Sequence, residues 1–262
     1  MDSPLGPQSS VLSPAYRLGG VSFLNSKPLL HALDSDPKIR LALDVPSRLI
    51  DGLRSETFDA ALLPVIDYQR MDDLRIVPSG GIGSDGATLT VRIFSPVPIE
   101  KISTLAFDPD SHTSVALARI ILAERYGLRP RAGDGGARLL IGDKVVLSEP
   151  RDMPHQLDLG QAWKEMTGMP FVFAVWTARA GIELGDLPQR LEAAKRRGLR
   201  QIDSIIERFA LPTGWPAELA RQYLTRNLQF DIGPSQLRAM ERFYELAAAH
   251  DIIAHPPRPL RF

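Results

Sequence analysis

Apolar and polar positions along the first part of the chain fall into two alternating rhythms. Residues 16–23 (YRLGGVSF) and 39–45 (IRLALDV) are short and rich in aliphatic side chains, and 58–64 (FDAALLP) is a short apolar run bounded by Asp and Pro. Such runs predict strands, the last of them buried in a parallel sheet. Between them, Asn25 and Ser26 followed by Pro28, and then Pro46 with Ser47, are helix starts. They predict helices to about residue 33 and through Arg54. The order β-α-β-α-β argues for an open parallel sheet with helices on both faces, in which ligands bind beyond the carboxyl ends of the strands. Asn25, Ser47 and Pro64 stand at those ends.

The pattern then changes. Residues 75–78 predict a short edge strand, and 79–86 (SGGIGSDG), with four glycines, predicts a turn-rich loop whose backbone can approach a ligand closely. Residues 88–95 alternate as a strand leaving this first lobe. A second α/β unit follows: a strand at 104–108, and a helix at 115–126 capped by the 111–114 run (SHTS) and stopped by Gly127. A strand at 138–143 comes next, which 144–147 continues or turns into a hairpin. Asp158 caps a short helix ending near Gly168, and 171–177 (FVFAVWT) reads as a strand crossing back to the first lobe. Beyond Leu187 the pattern is helical, with apolar residues three, four and seven apart and Gly198 a possible break. These stripes read as packing, and Lys195-Arg196-Arg197 reads as a solvated helix face.

Composition narrows the function classes. The 262 residues are 44% hydrophobic and 24% charged, as in a folded domain, and 31 basic residues balance 31 acidic ones. Global charge therefore calls for neither nucleic acid nor an anionic membrane surface. The absence of cysteine excludes disulfides, thiolate metal sites and a cysteine nucleophile. Residues 1–14 lack the basic start and apolar run of a signal peptide, and no segment approaches the ~18 apolar residues of a membrane span. The expectation is a cytoplasmic protein without membrane insertion, with residues 1–13 a loose tail.

Candidate chemistry is sparse. The five histidines are scattered without metal-ligand spacing, so no metal is assigned, and 83–86 (GSDG) falls short of a nucleophile elbow. What recurs is a strand followed by small hydroxyl or amide side chains at a helix start: Asn25-Ser26, Ser47 and Thr113-Ser114. Each alone is an ordinary N-cap worth about 1 kcal/mol. Converging on one cleft from two lobes, they make an anion clamp, with Lys27 beside the first helix start and backbone N–H groups suited to a carboxylate or phosphate. Asp108 and Asp143, each just after a strand, are candidates for loop ordering or acid–base work, with loop ordering the stronger reading.

Taken together, residues 21–29 (VSFLNSKPL), 45–47 (VPS), 58–64, 82–86, 91–95, 108–114 (DPDSHTS), 139–143 (LLIGD), 158–163 (DLGQAW) and 167–176 (TGMPFVFAVW) resemble the chorismate dehydratase family of the futalosine route to menaquinone. They occur in family order. The chain departs from the pattern at His112, where the resemblance leads to an expectation of arginine. The resemblance implies a two-lobed α/β fold like a type 2 periplasmic binding protein, with a ligand cleft between the lobes. Lobe 1 would be discontinuous, 14–91 plus 176–262, and lobe 2 would be 92–175.

The implied reaction removes water from chorismate to give 3-[(1-carboxyvinyl)oxy]benzoate without cofactor or metal. Asn25 and Ser84 would contact the reacting ring. Ser26, Thr113 and Ser114 would bind carboxylates, Ser47 would line the cleft, and Gly86 would also meet substrate. Two other readings use the same fold: a cytoplasmic module that binds or senses a small carboxylate, and the sister dihydroxynaphthoate synthase acting on a cyclic futalosine derivative. The sequence assigns no oligomeric state.

Overall fold

The computed structural model describes residues 15–262; the N-terminal stretch read as a tail lacking a signal peptide lies outside them. The first sheet is started by β1 (Tyr16–Val21), which pairs in parallel with β2 (Ile39–Asp44) and with β3 (Ala60–Pro64). A 3-10 turn at Leu24–Ser26 and the short helix α1 (Lys27–Leu30) join β1 to β2, and α2 (Leu49–Arg54) joins β2 to β3. Every residue of β3 is buried, which its unbroken apolar run requires.

β4 (Leu74–Ser84) is much longer than its expected four residues. The Gly-rich run does not form a loop. It continues the strand to Ser84, because Gly81 and Gly83 let neighbouring backbone press close: a Cβ on Gly81 would lie 2.4 Å from the Ala174 carbonyl oxygen, and one on Gly83 2.8 Å from that of Phe171.

The chain then enters a second sheet at β5 (Val91–Ser95), followed by β6 (Thr104–Ala106), α3 (His112–Tyr126), β7 (Arg131–Ala132), β8 (Ala137–Ile141), α4 (Lys144–Leu147) and β9 (His155–Asp158). Its strand order is β7-β6-β8-β5-β9. Residues 144–147 are thus a helical turn and not a strand or hairpin: Gly142 takes a left-handed φ of 61° and ends the strand.

After α5 (Leu159–Thr167) the chain returns as β10 (Phe171–Arg179), which pairs antiparallel with both β3 and β4. The first sheet therefore has the order β2-β1-β3-β10-β4 and is mixed, not wholly parallel. Residues 171–175, expected in the second lobe, hydrogen-bond within this first sheet. The runs between the sheets are 85–90 and 159–170.

The C-terminal helices are α6 (Leu187–Arg200), α7 (Ile202–Ile205), α8 (Ala217–Gln222) and α9 (Pro234–Ala249), with π-type turns at Ile206–Ala210 and Tyr223–Asn227. α6 packs on α1 and β4, and α9 on β10 and α3. Gly198 does not break α6. It is a notch over α1, where a Cβ would lie 2.1 Å from the Pro28 carbonyl oxygen. Lys195 is not solvated either; it is 5% exposed and ion-pairs with Glu192 and Asp231. Among the described residues, no helix is long and apolar enough to cross a membrane.

Candidate active site

The carboxyl ends of β1, β3, β4 and β8 and the start of α3 face one another across a narrow cavity. Its apolar wall includes Phe23, Ile82, Ile141 and Phe173, and its polar groups are Asn25, Thr88, Thr90, Ser111, Ser114 and Tyr223. Among the described residues, no charged side chain lines it. An anion held here would be met by neutral donors, which act more strongly in a water-poor cleft than in bulk solvent.

The predicted residues take up different positions. Asn25 and Ser114 line the cavity. Ser26 is wholly buried, and its hydroxyl proton is engaged inside its own loop, by the carbonyls of Val21 at 2.6 Å and Phe23 at 2.9 Å. Thr113 Oγ1 accepts from the Ile66 N–H at 3.3 Å, and the Ser47 N–H donates to the Asp110 carbonyl at 3.0 Å. Both of these tie one lobe to the other. Ser84 and Gly86 stand one layer behind the wall, beside Thr88, where all three converge on Gly160 at the start of α5. Gly86 has a φ of 112°, a conformation that disfavours side chains.

Two of these side chains share a property. Asn25 Oδ1 and Ser84 Oγ are sealed from solvent and have no hydrogen-bond partner. Native interiors rarely leave such atoms unpaired, and a bound ligand is one of the explanations an exception admits.

The helix start after Phe23, expected as an anion site, is met by a carboxylate of the protein itself. Asp143, from the turn after β8, accepts the Leu24 N–H at 3.2 Å. Gly142 makes this approach possible, since a Cβ there would sit 2.8 Å from the Phe23 ring. Burial pushes the Asp143 carboxyl up, against the opposing pull of the Leu24 N–H and the Lys27 charge. Burial also pushes the Lys27 amine down, with Asp143 opposing it. Asp108 orders its loop, accepting from the Ile141 and Asp110 N–H groups at 3.1 Å and from Lys144.

His112 does not line the cavity. Its Nδ1 lies 2.9 Å from both carboxylate oxygens of the buried Asp67, which also accepts from Arg70. Thr88, Thr90, Ser111 and Tyr223 were not singled out as site residues from sequence. Ser111 was visible as the cap of α3, whose Oγ accepts the Ser114 N–H. Tyr223 belongs to helices whose apolar stripes read only as packing. Among the described residues, no three His, Cys, Asp or Glu side chains are grouped to hold a metal ion.

Two α/β sheets with a cavity between them, closed by hydrogen bonds across it, define a two-lobed ligand-binding fold of the periplasmic-binding-protein type. The backbone matches the periplasmic aliphatic sulphonate binding protein SsuA of Escherichia coli with a TM-score of 0.64, covering 95% of this chain and 94% of that one at 15% identity. It matches protein AF1704 of Archaeoglobus fulgidus with a TM-score of 0.73, covering 91% and 98% at 16% identity. These likenesses concern the fold. Residues 16–249 match the family model described as menaquinone biosynthesis, and the chain belongs to that family. It is 30% identical over 236 residues to a protein of Thermus thermophilus named chorismate dehydratase, covering 80% of this chain and 87% of the relative. It is 25% identical over 238 residues to one of the same name from Campylobacter jejuni, covering 88% and 97%.

Proposed function

We propose that this chain is a chorismate dehydratase, a hydro-lyase acting in menaquinone biosynthesis by the futalosine route. The relatives' names and the family membership support the reaction; the observation that ties it to this molecule is the unpartnered Asn25 Oδ1 on the wall of the cavity. A cytoplasmic location follows from the substrate, a dianion that does not cross a hydrocarbon layer unaided.

Loss of the C3 proton and the C4 hydroxyl of chorismate produces one water and a benzene ring carrying the intact carboxyvinyl ether. No electrons leave the substrate, and gain of aromaticity drives the step. The protein's task is to orient and to stabilise developing charge. Asn25, on the cavity wall, contacts the reacting ring, and Ser84, one layer behind that wall beside Thr88, supports the wall from there. Neither is a strong base, so the proton goes to the substrate's own enolpyruvyl carboxylate folded over the ring. The resulting carbanion is delocalised toward the ring carboxylate, and the hydroxyl then departs. Ser114, with Ser111 at the start of α3, offers hydroxyl donors to a carboxylate.

Chorismate mixed with the purified protein and followed by proton NMR tests this reading. Conversion to the aromatic ether with its carboxyvinyl group retained is the expected result. Unchanged chorismate that raises the melting temperature would replace the reading with a binding or sensing module, and neither conversion nor binding would point to the futalosine-derived substrate. Asn25→Ala is expected to lower kcat by roughly 10²–10³-fold, the range for loss of one positioned donor, and Ser84→Ala, one layer behind the wall, by less, while the folded state is retained by circular dichroism.

A further inference from the structure

Two hydroxyls from distant parts of the chain meet on the cavity wall. Thr90 and Tyr223 both line the cavity, and their hydroxyl oxygens lie 2.6 Å apart. Thr90 stands on the run that carries the chain from the first sheet to the second, where its carbonyl accepts the Gly142 N–H at 2.8 Å. Tyr223 stands where α8 gives way to a π-type turn, a feature frequent at functional sites. Its ring is 1% exposed and stacks on Trp215, with centroids 5.2 Å apart and planes 17° from parallel, so its hydroxyl is held in place.

The hydrogens on the polar wall can be counted. Thr88 Oγ1 accepts the Val91 N–H at 3.2 Å, and its own proton goes to Asp158 at 3.4 Å. Ser111 Oγ donates to Ser114 Oγ at 2.9 Å, which leaves the Ser114 proton to spare. Thr90 and Tyr223 carry one hydroxyl proton each, and the bond between them uses one, whichever oxygen donates. Neither has another hydrogen-bond partner among the described residues, so one proton of this pair is also to spare. Burial raises the phenol above its ordinary range, so the pair keeps both protons at neutral pH.

The two spare protons have different surroundings. Ser114 lies in the first turn of the 15-residue α3, where backbone N–H groups and the helix dipole favour an anion. The Thr90–Tyr223 pair brings neither charge nor, since Tyr223 continues α8, a free helix start. It flanks the 142–143 turn, and so does Asn25, whose neighbour Leu24 donates its N–H to Asp143 at 3.2 Å. Asn25 Oδ1 is sealed and unpartnered, an acceptor on the wall of the cavity that a ligand hydrogen would satisfy. A carboxylate has no hydrogen to give. A hydroxyl meets both needs, accepting from the pair and donating to Asn25.

We infer that the Thr90–Tyr223 pair is the donor to the departing hydroxyl: its spare proton hydrogen-bonds the C4 oxygen of chorismate, while Asn25 Oδ1 accepts that group's own hydrogen. The inference rests on the dehydratase reading and adds two residues to it. As the C4–O bond breaks, its electron pair goes to the oxygen, which takes up the proton that left C3 and departs as water. The hydrogen bond from the pair strengthens as charge gathers on that oxygen, and the protein neither gains nor loses a proton.

Thr90→Val with Tyr223→Phe removes the donor and keeps the shape of the wall. Replacing both partners of a buried hydrogen bond also avoids the orphaned group that either single change leaves. The double variant is expected to lose roughly 10²–10³-fold in kcat on chorismate, the range for one positioned donor. The product, 3-[(1-carboxyvinyl)oxy]benzoate, keeps both carboxylates and lacks the hydroxyl, so its Kd by titration calorimetry is expected to match wild type. Tyr223→Phe alone leaves the Thr90 proton free to turn to the ligand; it is expected to show a smaller loss of the same kind, and it serves if the double variant does not fold. Undiminished turnover overturns the inference. So does a product Kd that weakens in step with turnover, the mark of a carboxylate contact or of a cavity that has lost its shape. A wild-type protein inert toward chorismate overturns the dehydratase reading and this inference with it, whereas an active wild type leaves the variants to decide the inference alone.

Discussion

Asp158 shows how far one side chain reaches beyond its local pattern. Sequence identifies it as a helix cap, and its carboxylate does accept the N–H groups of Gly160 at 3.0 Å and Gln161 at 3.1 Å. The same carboxylate accepts from the Thr88 and Leu89 N–H groups, the closer at 2.8 Å, holding Leu89 at a φ of 68° on the run between the sheets. The cap was legible because its partners lie two and three residues away; the other half was not, because its partners lie about seventy residues away. Asp59 illustrates the electrostatic side. Burial alone would raise its carboxyl, but the Arg17 N–H, guanidinium and charge more than reverse this and hold it below its ordinary value. A carboxyl depressed in the folded state contributes stability that is complete above the unfolded value, about 3.9, and is lost as pH falls through the folded one. Asp59→Asn is therefore expected to lower the melting temperature at pH 7 and to narrow its gap to wild type steadily below about pH 4. A gap independent of pH would show that the ion pair contributes nothing.

Helices and strands were read well where one face is buried and poorly where neighbours set the limits. The 79–84 run looks like a loop because glycine favours turns, yet Ala174 and Phe171 carbonyls require just those glycines in a strand. Lys195 looks solvated because its neighbours are charged, but its stem packs on Gly80 of β4 and its amine pairs with Glu192 and Asp231. Gly198 looks like a helix break and is instead where α6 meets the Pro28 backbone. Gly198→Ala forces α6 away from α1 and is expected to cost about 1–3 kcal/mol in urea unfolding, the range for overpacking a close contact. Because α1 follows directly on Asn25, turnover is expected to fall as well. A stability equal to wild type would mean that α6 shifts without resistance and that the notch has no structural role.

At the scale of the whole molecule, the cavity exists because the lobes are drawn together by contacts made across it. These are Asp143 on the Leu24 N–H, Ser47 N–H on the Asp110 carbonyl, Thr113 on the Ile66 N–H, and His112 on Asp67. Several hydroxyls expected to hold substrate lie among or beside these contacts, and the polar part of the cavity wall is formed by Asn25 and Ser114 with Thr88, Thr90, Ser111 and Tyr223. Asp143 makes the contact nearest Asn25. Asp143→Ala leaves the Leu24 N–H without its acceptor, and the free protein is expected to show a larger radius of gyration in solution scattering. Chorismate affinity should weaken roughly tenfold, about 1.4 kcal/mol, because binding must then also close the cleft. Equal radius and affinity in the variant would show that closure does not depend on this bond.

The sequence by itself determined the two α/β units, the strands and helix caps that build them, and the family to which the chain belongs. It could do so because apolar periodicity, caps and short motifs are local, each read from residues within one or two turns of one another. Only the tertiary structure decided which hydroxyls face the cavity, that Ser26 is spent on its own loop, that Asp143 occupies the first helix start, and that Tyr223 joins Thr90. Those outcomes depend on atoms brought together from distant parts of the chain, and a hydrogen-bonding group has the same sequence signature whether its partner is its own backbone, the opposite lobe or a ligand.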